Sequence, residues 1–223
     1  WRIYNIVETN NARFCYLFKD CAVLTSAPEL PATKLAGDCY YSMFFGCTSL
    51  TTAPELKATT LAHGCYSYMF GCTSLTAAPE LKATTLAGKC YSGMFYGCTS
   101  LTAAPELKAT TLEKYCYNRM FKGCTSLTAA PKLKATTLAY YCYYDMFSGC
   151  TKLSTVTMLA PSDQISNFCD NWLDNAGTDP TVKSRTLIVS DEAAYNKLVN
   201  VGVLPTDYWQ KENCTVKAAN GTV

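Results

Sequence analysis

The segment CYSGMFYGCTSLTAAPELKATTLEKY, residues 90–115, has near copies on both sides of itself. Cys39, Cys65, Cys90, Cys116 and Cys142 form one column. Cys21, Cys47, Cys72, Cys98, Cys124 and Cys150 form a second, and both step by 25 or 26 residues. Met43, Met69, Met94, Met120 and Met146 fill another slot, followed each time by Phe44, Phe70, Phe95, Phe121 or Phe147. A degenerate first copy, with Leu17 in the Met slot, begins near Arg13, and the pattern fades after Cys150. A fixed period of this length is the mark of a stacked-repeat architecture, in which each unit buries its apolar side against its neighbours.

Each unit divides into two periods. Leu86, Cys90, Met94 and Cys98 recur every four residues, flanked by Tyr91 and Phe95, a stripe that predicts a short helix from Thr84-Thr85 to Gly97. Ser100 to Ala104 is short and β-compatible and ends at Pro105, which cannot donate to a ladder. The Leu50, Leu75, Leu101, Leu127 and Leu153 column would line the inside wall. The expected fold is therefore an α/β solenoid of about six strand–turn–helix rungs, with a parallel sheet on one side. Residues 1–12 and 159–223 read as N- and C-terminal caps around an array at 13–158. In the C-terminal part Arg185-Thr-Leu-Ile-Val reads as a strand, Ser190 as the N-cap of a helix, and Thr215-Val-Lys as a last strand. Trp172 and Trp209 are expected to seal the final rung.

Composition narrows the function. The 223 residues carry 19 Lys+Arg against 17 Asp+Glu, a balance that gives no pull toward nucleic acid or anionic membrane. No apolar run approaches the ~18 residues needed to span a bilayer. Charged residues are only 16%, and 29 Thr and 16 Tyr suggest a hydroxyl-rich surface. The chain begins at Trp1, which reads as a mature or trimmed fragment. A single histidine, His63, in a variable surface slot disfavours His-based catalysis and metal sites. Repetition itself argues against an enzyme, because a catalytic site needs unlike residues converging once. No catalytic residue, metal ligand or cofactor is assigned, and Asp170, Asp174 and Asp179 lack calcium-loop spacing.

The unit F-x-G-C-T-S-L-T-x-A-P-x-L-x-A-T-T-L, with M-F-x-G-C-T-S-L as its most diagnostic part, resembles the BspA-like leucine-rich repeats of bacterial surface proteins, as found in gut Bacteroidetes. The resemblance covers about residues 13–158. It implies a leucine-rich-repeat fold, an exported or cell-surface location, and recognition or adhesion through an extracellular protein or glycan, with the chain acting as a monomer. A structural spacer or stalk that displays another domain is the rival reading. The extra Cys at the start of the expected helix and the 26-residue length depart from the commoner family form.

The fourteen cysteines read mainly as buried free thiols. On a helix, Cys90 and Cys98 would lie about 12 Å apart, beyond the ~7 Å a disulfide allows. Cys15–Cys21 and Cys169–Cys214 fall outside the regular slots and are the first candidates for bonds.

Two sets of columns are candidate binding faces. The first is Glu55, Glu80 and Glu106 with Lys57, Lys82, Lys108 and Lys134, which would face solvent beside the strands. The same columns would equally serve as a solvated salt-bridge lattice, worth little per pair. The second is aromatic: Tyr41, Tyr68, Tyr96, Tyr115, Tyr140 and Tyr144, good anchors for a partner but also suited to packing between rungs. The charged face is the preferred expectation.

Overall fold

Residues one repeat apart lie side by side and are paired in parallel, so the array is a parallel β-solenoid of about six turns. The computed structural model describes residues 10–219, except 12, and residue 221. Of the N-terminal cap expected at 1–12, residues 1–9 and 12 lie outside the described residues.

The strands are brief. β1 (Lys34–Leu35) pairs with β3 (Thr60–Leu61), and β2 (Phe44–Phe45) with β4 (Phe70–Gly71). Single bridges such as Thr52↔Ala77, Ala77↔Ala103 and Thr111↔Thr137 continue the pairing along the stack. The rungs are numbered here by the Met slot, from rung one at Leu17 to rung six at Met146.

The expected helices are absent from the rungs. The segment from Asp38 to Cys47 is instead a chain of turns whose residues alternate in handedness. Asp38, Tyr40 and Ser42 have φ of 56°, 61° and 49°. Cys39, Tyr41, Met43, Phe45 and Cys47 each donate their N–H to the carbonyl three residues back. The residues between them, Asp38, Ser42, Phe44 and Gly46, donate to rung three, and Tyr40 donates back to Arg13. A period of four thus puts Cys39, Met43 and Cys47 on the inside without an α-helix. An α-helix would consume every N–H within the rung, whereas this chain of turns releases half of them to hold the stack together.

Seventeen described non-glycine residues have positive φ. Each costs about 1–2 kcal/mol. Many are tyrosines whose rings are then buried. Tyr40, Tyr66, Tyr91, Tyr117 and Tyr143 stack as a ladder with ring centroids 5.7 to 6.4 Å apart. Phe18, Phe44, Phe70, Phe95, Phe121 and Phe147 form a second ladder at 5.5 to 5.8 Å. An aromatic ring buries about 150–250 Å², which at ~25 cal/mol per Å² stabilises by roughly 4–6 kcal/mol. Burial therefore outweighs the backbone cost at Tyr40, Tyr66, Tyr91 and Tyr117, the four ladder tyrosines with positive φ. The Met and Leu columns complete the core, at 0% exposure from Met43 and Leu50 onward. Leu17, on the first rung, is 50% exposed.

All fourteen cysteines are free, including Cys15, Cys21, Cys169 and Cys214. The separation expected from packed helices does not apply, because neighbouring rungs of a parallel ladder are only ~4.8 Å apart, within disulfide range. The thiols have another partner. Cys47, Cys72, Cys98, Cys124 and Cys150 donate to the carbonyls of Phe18, Phe44, Phe70, Phe95 and Phe121 on the preceding rung. Cys65, Cys90 and Cys116 do the same to Ala36, Ala62 and Ala87 at 3.1 Å. Apart from that of Phe70, each of these carbonyls also accepts the N–H three residues on, so the thiol takes the second lone pair.

After rung six come β5 (Thr155–Met158), β6 (Thr186–Val189) and β7 (Thr215–Ala218), parallel in that order, with helices α1 (Glu192–Asn200) and α2 (Thr206–Trp209). Asp191, not Ser190, caps α1, accepting the Ala194 N–H at 2.8 Å; Ser190 Oγ donates to Ala160 O instead. Phe147 N–H donates to Trp172 O, so Trp172 follows Met146 in the stack. Trp172 and Trp209 are fully buried and donate their indole N–H groups to Val203 O and Ala176 O, both at 3.0 Å.

Candidate binding surfaces

The Glu and Lys columns interlock along a diagonal. Lys82 reaches Glu55 at 2.6 Å, Lys108 reaches Glu80 at 2.5 Å, and Lys134 reaches Glu106 at 2.7 Å. Each lysine therefore bonds the glutamate of the rung before it. Hydrogen bonds from these lysines hold the carboxyls of Glu55, Glu80 and Glu106 below the usual carboxylate range. Glu29 and Lys57 instead flank a shallow cleft with Pro28, Leu30, Pro54 and Glu55. The surface is charged but internally neutralised, and screening by solvent keeps each such pair weak.

The aromatic set forms a ridge made of two groups. Tyr16 meets Tyr41 edge-on at 5.3 Å, Tyr41 meets Tyr68 at 6.3 Å, and Tyr68 meets Tyr96 at 6.0 Å. Phe45 packs beside Tyr68. A second group joins Tyr115 to Tyr140 at 5.6 Å and to Tyr141 at 5.8 Å, and Tyr141 to Tyr144 at 4.9 Å. Tyr96 and Tyr140 are exposed, at 37% and 41%, and Tyr41, Tyr68, Tyr115 and Tyr144 are half-buried. A hydrogen bond to Tyr140 pushes the Tyr141 phenol up to about 12.

Arg119 joins the two groups. Its guanidinium lies 5.3 Å from the Tyr144 ring centroid, and its Nε donates to Asp145 Oδ2 at 3.1 Å. Burial opposes its charge, but hydrogen bonding to the Tyr68 hydroxyl and to Asp145 outweighs it and raises the guanidinium further above its ordinary value. Lys122 donates to the same Asp145 oxygen at 2.7 Å, and the Asp145 side chain is only 6% exposed. Lys89 stands 6.0 Å over the Tyr115 ring. Cations thus sit on tyrosine faces at several points, an arrangement worth about 0.5–1 kcal/mol per exposed pair.

Column reading alone missed Arg119, Lys122 and Asp145. Arg119 and Asp145 were nonetheless marked. The slot before each Met holds Tyr16, Ser42, Tyr68, Gly93, Arg119 and Asp145, one of several variable columns in an otherwise regular repeat. Every member has positive φ, between 49° and 58°. Variation at these few surface slots, against uniform Cys, Met, Phe and Leu columns, is the signal.

His63 is exposed, with Nδ1 3.8 Å from Asp38. Among the described residues no group of three or more His, Cys, Asp and Glu could hold a metal ion, and no helix is long and apolar enough to cross a membrane. Compared with protein-family models, curated proteins and solved structures, the chain finds no match in any of the three.

Proposed function

We propose that this chain is a non-enzymatic recognition protein that binds an extracellular protein or glycan through its tyrosine ridge. What carries the reading is the contrast between the two surfaces. The Glu–Lys columns spend their charges on one another, rung to rung. The ridge offers aromatic faces, phenol hydroxyls and partly exposed cations, and it varies in sequence where the scaffold does not. Exposed Tyr and Arg are favoured anchors of recognition surfaces. The resemblance of the repeat to BspA-like leucine-rich repeats supports an exported or cell-surface setting and an adhesive role.

A structural spacer is the second reading. The continuous Phe, Tyr and thiol ladders favour it, since they would make a stiff rod. A screen of extracellular matrix proteins and glycans separates the two. With a partner in hand, a Tyr68→Ala/Tyr96→Ala variant is compared with a Glu80→Ala/Lys82→Ala/Glu106→Ala/Lys108→Ala variant. Ridge recognition requires a large loss in the first and near-parent binding in the second. The opposite order would move the site to the charged columns, and no partner at all would favour the spacer.

A further inference from the structure

The ridge is not uniform in charge along its length. Toward rung one, Lys19 lies 3.8 Å from Asp20 and the exposed Asp38 stands beside His63, so cations and acids alternate. Between rungs four and six the balance changes. Lys89, Arg119 and Lys122 lie among Tyr96, Tyr115 and Tyr144. Asp145 faces Arg119 and Lys122 but is buried and already engaged by both, so it offers an incoming ligand no free carboxylate. The adjacent Glu113 and Lys114, both exposed, offset each other.

The backbone limits the kind of ligand. Peptides are commonly captured by strand addition at a sheet edge or in an apolar groove between helices. Along the ridge the backbone N–H groups are already used. Lys89 donates to Lys114, Tyr115 to Tyr140, and Arg119 to Tyr144. None of the clefts described for the molecule is lined by ridge residues. What remains is a strip of phenol rings in which Tyr115 meets Tyr141 and Tyr141 meets Tyr144, with Lys89 over the Tyr115 ring, Arg119 over the Tyr144 ring, and Tyr96 beside the Gly97 N–H that donates to Lys122. Ring-shaped, hydroxylated units that carry acid groups match it: rings stack on rings, and acids meet lysine and arginine.

Resting on the ridge as the binding surface, we propose that its rung-four-to-six half takes an anionic sugar chain, with Tyr96, Tyr115 and Tyr144 as stacking faces and Lys89, Arg119 and Lys122 as the acid-binding groups.

The test uses the full chain and three immobilised polymers: polygalacturonate for carboxylates, dextran sulfate for sulfates, and oligothymidylate for phosphates on a chain that offers thymine bases instead of pyranose rings. Fully methyl-esterified polygalacturonate is the neutral control. Lys89→Glu and Tyr96→Ala alter exposed side chains, and unchanged melting curves establish that both fold. Binding to polygalacturonate or dextran sulfate, weakened about fivefold to tenfold by each variant and strongly by salt, supports the proposal, and the polymer preferred identifies the acid. Binding that persists on the esterified polymer, or that both variants leave untouched, overturns it. Preference for oligothymidylate also overturns it, in favour of a single-stranded nucleic acid. If both anionic polysaccharides fail while Tyr68→Ala/Tyr96→Ala still abolishes capture of a protein partner, the ligand class is wrong and the ridge reading stands.

Discussion

The ring of Tyr68 lies across the bare Cα of Gly93 on the next rung. A Cβ at Gly93 would overlap three carbons of that ring. Only glycine lets Tyr68 reach Arg119 two rungs away. Gly93 and Gly97 both have positive φ, at 58° and 71°, but nothing lies within 4 Å of a Cβ at Gly97. Gly97→Ala should therefore cost only its backbone strain, about 1 kcal/mol. Gly93→Ala should cost about 1–3 kcal/mol more, because the ring must move. In a Tyr68→Ala background that extra cost should vanish. Equal urea midpoints for Gly93→Ala and Gly97→Ala would refute the contact.

The thiols should make the fold alkali-sensitive. Burial pushes Cys65, Cys90, Cys116 and Cys142 up to about 12 from an ordinary 9.0, and Cys47 to about 11. The folded state then holds protons that the unfolded chain releases above pH 9. Stability is complete below that pH and falls as pH rises toward 12. Melting temperature should be flat from about pH 6 to 8.5 and drop above 9. A thiol reagent should find only the half-buried Cys15 and Cys21 in native protein, and all fourteen cysteines after unfolding without reductant. A melting temperature indifferent to pH 10 would contradict the first expectation, and markedly fewer thiols in the unfolded chain would contradict the second.

Inside and outside should separate by charge. Met94 is 0% exposed, so Met94→Lys buries a cation without a partner and should cost more than about 4 kcal/mol or prevent folding. Glu106→Lys removes only an exposed, solvent-screened pair with Lys134 and should leave stability close to the parent's. Thermal unfolding of the two proteins measures the difference.

Within the aromatic ladders the ring matters and one hydroxyl does not. The buried Tyr66 hydroxyl makes no well-formed hydrogen bond among the described residues, with only the Ala58 backbone near enough to act on it. Tyr66→Phe should be neutral or stabilise by up to about 1 kcal/mol, because a buried unsatisfied group is removed. Phe95→Ala should cost about 3–5 kcal/mol. Loss of stability in Tyr66→Phe, read by chemical denaturation, would assign the hydroxyl a partner.

Asp145 holds two cations at once. Asp145→Asn leaves Arg119 and Lys122 without their shared carboxylate and should cost about 1–3 kcal/mol. Glu80→Gln, on the exposed and solvent-screened lattice, should leave stability almost unchanged. Similar denaturation midpoints for both would mean that burial of Asp145 adds nothing.

The stacked-repeat architecture, its 26-residue step and the inward columns were legible in the sequence. The Met, Phe and Leu slots recur too regularly to be anything but core, and they are core. The form of the rung was not. Leu86, Cys90, Met94 and Cys98 satisfy a helical period, and local periodicity cannot tell a helix from turns that repeat every four residues. The choice lies in where the N–H groups of Asp38, Ser42 and Phe44 go, and they go to a neighbouring rung. The same blindness affected the cysteines: free thiols followed from the sequence, but through a helical spacing that the chain does not have.

At the candidate site the sequence by itself determined the two sets of columns, because chemical identity repeats visibly. It also determined that Glu55, Glu80 and Glu106 and the lysines two residues beyond them share a face. Only the tertiary structure decided that Lys82, Lys108 and Lys134 neutralise Glu55, Glu80 and Glu106, and that Arg119 joins Tyr68 to Tyr144 across the bare Gly93. The reason is geometric. Partners in a solenoid are about one repeat apart in sequence and a few ångströms apart in space, so pairing depends on the diagonal offset between rungs, which no single repeat contains.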